Sequence, residues 1–228
     1  MQKEYYQNNL YPLQDKVMEL MGGLSNEFYL TGGTALSRYY LNHRYSDDLD
    51  FFTNRDEDFR QNSDAFINLI LKNFKNVKIE LASTDFVRFI IIEQNTELKI
   101  ELINDVAYHY NGLHQYKCKV DNWQNILSNK ISAIARNSSK DFADILFISK
   151  KYNFNWIDIF EQAKEKDTWV NEIEIACLID EFHTNRLKDI KWVEENLNFN
   201  EFDMCFKVIA KDILKGIDNS LFIKHPIS

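Results

Sequence analysis

The stretch from Phe28 to Phe52, FYLTGGTALSRYYLNHRYSDDLDFF, constrains this chain more than any other. A short apolar run, Phe28–Leu30, reads as a buried strand. Gly32 and Gly33 follow it, and without a Cβ they let the backbone turn sharply and approach a ligand closely. Thr34 is placed to cap a helix over residues 35–42, whose free N–H groups and dipole would favour an anion the size of a phosphate at the turn. Asp48 and Asp50 stand two apart. On a strand over residues 49–52, both carboxylates project from one face while Leu49 and Phe51 pack behind. Paired carboxylates beside a phosphate cradle are what divalent-metal phosphoryl transfer requires.

Such chemistry needs a third carboxylate on a neighbouring strand. In Leu98-Lys99-Ile100-Glu101-Leu102 the alternation puts Leu98, Ile100 and Leu102 on one face and Lys99, Glu101 and Ile103 on the other. Glu101 is therefore an acid on a strand whose opposite face is core. Asp105 is the competitor, expected just past the strand. Further on, Lys130, Arg136, Lys140, Lys150 and Lys151 outnumber Asp141 and Asp144, a local positive excess in a chain of net charge −8. A solvated helix face explains that excess as readily as a ligand does.

The order of patterns predicts an α+β fold. A helix is expected over residues 5–21, bent near Pro12. After the strand–helix–strand unit of 28–52 come a helix over 58–74 and strands at 77–81, 86–93 and 97–102. Beyond residue 121 everything reads as helix: 123–137, 141–151, 156–166, 171–185, 188–197 and 201–215. This divides the chain into a small mixed-sheet lobe with flanking helices, residues 1–121, and an all-helical lobe, residues 122–228.

Composition narrows the class. Hydrophobic residues make up 45% of the chain, enough for a packed core, and its negative charge argues against coating long duplex nucleic acid. A nucleotide carried with a divalent cation remains compatible, because the metal supplies positive charge locally. No apolar run reaches the roughly 18–20 residues of a membrane span. The first residues lack the apolar core of a signal peptide. Cys118, Cys177 and Cys205 form neither a disulfide framework nor a zinc motif, so the expected location is cytoplasmic. His43, His109, His114, His183 and His225 show no metal-ligand spacing.

The motifs GGTAL and HRYSDDLDFF resemble the nucleotidyltransferase superfamily of DNA polymerase β-like enzymes, and within it the AbiEii/AbiGii toxin-type nucleotidyltransferases. NKISAIARNSSKDFADILFI, with Lys130, Arg136, Asp141 and Asp144, is similar to that family's later motifs. The resemblance implies a catalytic lobe followed by a helical lobe that completes the active-site cleft. It implies transfer of NMP from an NTP with Mg²⁺ or Mn²⁺ held by Asp48, Asp50 and Glu101, although Asp is the commoner residue at the third position. Gly32, Gly33, Thr34, Arg44, Lys130, Arg136, Asp141 and Asp144 would serve the nucleotide, with Lys130 neutralising phosphate charge. The implied acceptor is a tRNA 3′ end, another RNA or a protein side chain, and the implied partner is a cognate antitoxin. A nucleotidyltransferase acting on a small molecule, as on antibiotics, and a non-catalytic nucleotide-binding module of the same fold are the alternatives.

Overall fold

The computed structural model describes residues 2–110 and 112–224, without the side chains of Ile223 and Lys224. His225 lies outside the described residues. The chain forms two compact units. The first comprises Met1–Ala35 and Tyr45–Asn122; the second comprises Leu36–Arg44 and Trp123–Ser228.

The first unit is built on a mixed sheet of order β3-β4-β5-β2-β1-β7-β6. Its strands are β1 (Tyr29–Thr31), β2 (Leu49–Asn54), β3 (Val77–Ala82), β4 (Phe86–Glu93), β5 (Thr96–Asp105), β6 (His114–Gln115) and β7 (Lys119–Val120). β2 runs parallel to β5 and β1 parallel to β7, while the other pairs are antiparallel. Alternation fixes the faces. Leu49 and Phe51 of β2, Val87, Phe89 and Ile91 of β4, and Leu98, Ile100 and Leu102 of β5 are all fully buried. Phe66 of the helix Phe59–Asn73 meets Phe51 and Phe89 edge-on, both at 6.1 Å between ring centres. The opposite face carries Asp50, Phe52, Arg88, Lys99, Glu101 and Ile103, all half-buried.

Two details differ from the sequence pattern. β5 extends to Asp105, so Asp105 is its last residue and pairs with Asn54 instead of lying beyond the strand. The N-terminal helix changes winding along its length: Gln2–Tyr5 is α-helical, Tyr6–Leu10 is a π-helix, and the α-helix resumes as α1 (Tyr11–Gly22). Pro12 has no N–H to give the turn before it, and a π-turn is one way a helix absorbs such a loss.

The second helix of this region, α2, covers Gly32–Ala35 and continues as a π-helix over Leu36–Leu41. Asn42 ends it with φ 50°, its N–H reaching Ser37 O at 3.0 Å. The helix after β2, Phe59–Asn73, is α3.

In the second unit the helices are α4 (Trp123–Ala133), α5 (Ser139–Lys151), α6 (Trp156–Lys166), α7 (Glu172–Asp180), α8 (Phe199–Lys215) and α9 (Leu221–Lys224). Asn155 and Asn171 start α6 and α7 by accepting backbone N–H groups of Ile157 and of Ile173 and Glu174. Phe142, Phe182 and Phe206 form a buried aromatic cluster, the first two stacked at 4.0 Å. The helix expected over 188–197 does not form. A 3₁₀ segment spans Thr184–Asp189, and Trp192 then makes an antiparallel bridge with Arg44 while the Val193 N–H donates to His43 O at 3.1 Å. Those backbone groups are spent on the 43–44 segment and cannot also close helical turns.

Candidate functional site

Gly32 sits at φ 68°, a conformation that side-chain-bearing residues rarely adopt. A Cβ there would lie 3.3 Å from Asp50 Oδ2, so the glycine also makes room for that carboxylate. Thr34 does not cap the following helix, which already begins at Gly32. Its buried hydroxyl instead donates to the Asp48 carbonyl and lies 2.8 Å from the Ser46 hydroxyl. The turn and the carboxylate-bearing segment are thereby tied together.

That segment is held from a second side. Gln14 of α1, fully buried, donates from Nε2 to the carbonyls of Ser46 at 3.0 Å and Asp47 at 3.1 Å. The Tyr6 hydroxyl donates to Asp47, and its ring stacks on Tyr45 at 4.1 Å. Burial, then the bond to Asp47, push the Tyr6 pKa up, which keeps it a donor. Nothing in the local pattern singles out Tyr6 or Gln14, because their partners lie some 30 to 40 residues away in the chain.

The parallel register of β2 and β5 places Asp50 directly opposite Glu101 and Leu49 opposite Ile100. Glu101, only 14% exposed, faces two cations: Arg88 reaches its Oε1 from both Nε and Nη2 at 2.8 Å, and Lys99 Nζ lies 3.2 Å away. The same ammonium lies 3.2 Å from Asp48 Oδ2. Burial works against the charged form of Lys99, but Asp48 and Glu101 outweigh it and raise its pKa. Asp105 is turned to its own turn, accepting the Ala107 N–H at 3.1 Å.

Among the described residues no three Asp, Glu, His or Cys side chains are grouped ready to hold a metal ion. Two of the three expected carboxylates, Asp48 and Glu101, are in contact with Lys99 and Arg88. The donor set nevertheless fits a hard divalent ion: carboxylate oxygens of Asp48 and Glu101 converge on one positive charge, with Asp50 beside them. Direct ligation needs shorter distances, about 2.0–2.1 Å for Mg²⁺.

The remaining expected residues meet in the helical unit. Asp144, fully buried on α5, accepts Arg44 Nε at 2.7 Å and Nη2 at 2.8 Å, and His43 Nε2 lies 2.8 Å from its Oδ1. Lys130 Nζ lies 2.8 Å from Asp144 Oδ2 and 2.6 Å from Asp141 Oδ1. Arg136, 71% exposed, reaches Asp141 only at 3.5 Å. Burial alone would raise the Asp144 pKa, but the charges of Arg44 and Lys130 and the His43 contact hold it well below the usual carboxylate range. Lys130 is raised in turn, Asp144 and Asp141 outweighing its burial. His43 is lowered, burial outweighing the pull of Asp144. Its Nδ1 has no hydrogen-bond partner among the described residues. The sequence pattern passes over His43 because no second histidine shares a metal-ligand spacing with it.

No helix among the described residues is long and apolar enough to cross a membrane. The three cysteines are free thiols.

Comparison with known proteins shows the family and the fold. The sequence profile of the family described as "Nucleotidyl transferase AbiEii toxin, Type IV TA system" matches residues 20–219. An uncharacterized protein of Aquifex aeolicus, aq_aa25, is 32% identical over 163 residues, covering 67% of this chain and 71% of that protein. The crystal structure of JHP933 from Helicobacter pylori is similar in fold, with TM-score 0.66 and 18% identity over 95% of this chain and 93% of that one. A candidate nucleotidyltransferase of H. pylori is similar with TM-score 0.66 and 19% identity, over 91% and 94% of the two chains. On the sequence match across most of its length, this chain belongs to the AbiEii family of nucleotidyltransferase toxins.

Proposed function

We propose that this protein transfers NMP from an NTP to an RNA acceptor, a tRNA or another RNA, in a reaction supported by Mg²⁺ or Mn²⁺. The observation that carries the reading is the pairing of Asp50 with Glu101 across the parallel β2–β5 register, with Asp48 sharing a cation with Glu101 and Gly32 opening room for Asp50. In the reaction the acceptor hydroxyl gives its proton to solvent, its oxygen bonds to the α-phosphorus, and pyrophosphate leaves with the electron pair of the broken P–O bond. Asp48, Asp50 and Glu101 would hold the metal, which when bound offsets phosphate charge and lowers the pKa of the attacking hydroxyl.

Gly32 and Gly33 would let backbone N–H groups approach the triphosphate, with Thr34 fixing the turn against Asp48. Lys130 would contribute positive charge toward the phosphates. Asp144 and Asp141 would act through Lys130 and Arg44 as positioning residues, since both carboxylates are engaged by those cations. Arg136, largely exposed, would be free to contact a phosphate. A toxin of this family implies an antitoxin that restrains it, and the cytoplasm is where both nucleotide and RNA are met.

The deciding experiment incubates the protein with each α-³²P-labelled NTP, Mg²⁺ and total bacterial RNA, beside Asp48→Asn/Asp50→Asn. Label on a discrete RNA band, lost in the variant, is the expected result. Label that persists in the double variant would refute the carboxylate assignment. Label appearing on protein or on a small molecule, with none on RNA, would overturn the acceptor.

A further inference from the structure

Lys99 carries no part in the roles above, yet it occupies the centre of the carboxylate group. On the half-buried face of the sheet, Asp50 and Glu101 stand directly opposite each other, an arrangement of like charges that costs stability unless cations compensate it. Two cations do. Arg88, cross-strand from Glu101, is fixed by two N–H contacts to one oxygen. Lys99, two residues before Glu101 on the same face, spans Asp48 Oδ2 and Glu101 Oε1 with one ammonium at 3.2 Å from each. Within this cluster three carboxylates, Asp48, Asp50 and Glu101, stand beside two cations.

The two cations are not equivalent. Arg88 binds through a rigid fork, whereas Lys99 is a compact charge on a flexible stem, and it alone touches both Asp48 and Glu101. A divalent ion drawing on those two carboxylates would take the place between them that the Lys99 ammonium now fills.

Resting on the metal-dependent reading above, we infer that Lys99 is the resident counter-cation of this site and competes with the divalent ion for Asp48 and Glu101. It keeps the acidic face intact while no metal is bound, and it sets the affinity for metal by having to be displaced. Metal binding to the nucleotide-free protein is therefore weak, and loss of the ammonium strengthens it.

The test is a Mn²⁺ titration of the full chain without nucleotide, read from the electron paramagnetic resonance signal of the free aquo ion. Lys99→Met should bind Mn²⁺ roughly tenfold or more tightly than the wild type, since a unit charge next to the site has been removed. Lys99→Arg, which keeps the charge, should stay close to the wild type, and Asp48→Asn/Asp50→Asn should lose binding. Should Lys99→Met fail to fold by circular dichroism, Lys99→Gln is held to the same expectation. Unchanged Mn²⁺ affinity on neutralising Lys99, with binding still lost in the double Asn variant, would overturn the inference and leave the metal reading standing. Equal binding by the double Asn variant and the wild type would overturn both.

Discussion

Arg44 and Asp144 form a buried ion pair across 100 residues of chain, with two guanidinium nitrogens on two carboxylate oxygens at 2.7 and 2.8 Å. Neither group is solvated enough to stand alone: side-chain exposure is 2% for Arg44 and nil for Asp144. Both residues belong to the second unit, so the pair ties the segment Leu36–Arg44 to α5 within it.

Asp144→Asn removes the charge that compensates Arg44 and Lys130 together. Breaking a buried pair from one side costs about 3–5 kcal/mol. Urea unfolding followed by circular dichroism should show a loss of that size. A loss below about 1 kcal/mol would mean the network carries little of the stability.

The pH dependence has a defined sign on the acid side. His43 has a folded pKa below its ordinary 6.5, so the unfolded chain binds the proton more readily, and stability is present above about pH 6.5 and falls as pH drops below it. Asp144 adds a second loss at lower pH: its depressed pKa gives stability that is present above the usual carboxylate pKa and disappears as pH falls through the folded value. His43→Gln should flatten the thermal-stability profile between pH 5 and about 6.5 while leaving the decline below pH 4. An unchanged slope near pH 6 would rule out His43 as its source.

Gly32→Ala forces a Cβ toward Asp50 at a backbone conformation that costs an L-residue about 1–2 kcal/mol. The expected result is a modest loss of melting temperature and a larger loss of nucleotidyl transfer, because the carboxylate must move. Transfer reduced only in proportion to folded protein would show that Asp50 does not need that position.

Glu101→Gln and Asp105→Asn separate the two candidates for the third carboxylate. Glu101 faces Asp50, whereas Asp105 is occupied by the Ala107 N–H. Single-turnover transfer should fall on the order of 10²-fold or more in Glu101→Gln, the scale on which removing one electrostatic catalytic group acts. Asp105→Asn should remain within a few-fold. The reverse order would transfer the role to Asp105.

Lys130→Ala and Arg136→Ala should divide stability from nucleotide use. Lys130 is flanked by two carboxylates in the interior, and its loss should cost several kcal/mol. Arg136 is exposed with one long contact, so its loss should cost no more than about 1 kcal/mol. A raised KM for NTP in Arg136→Ala at unchanged melting temperature would place its guanidinium on the nucleotide. An unchanged KM would leave it a surface residue.

The sequence alone determined what depends on local periodicity. Leu49 and Phe51 behind Asp48 and Asp50, Leu98, Ile100 and Leu102 behind Glu101, and the helical run after residue 122 all follow from which residues recur at spacings of two or three to four. The Gly-Gly-Thr turn was legible for the same reason, since a positive φ at Gly32 is a local demand. The sequence misjudged places where a distant partner outbids the local preference: Thr34 ties to Asp48 rather than capping its helix, and residues 192–193 bond to 43–44 rather than coiling. Only the tertiary structure decided that Glu101 faces Asp50, that Lys99 joins Asp48 to Glu101, and that Arg44, His43 and Lys130 share Asp144. Strand register and ion pairing are set by packing between segments far apart in the chain, and charge compensation is settled only once burial has removed the water that would otherwise provide it.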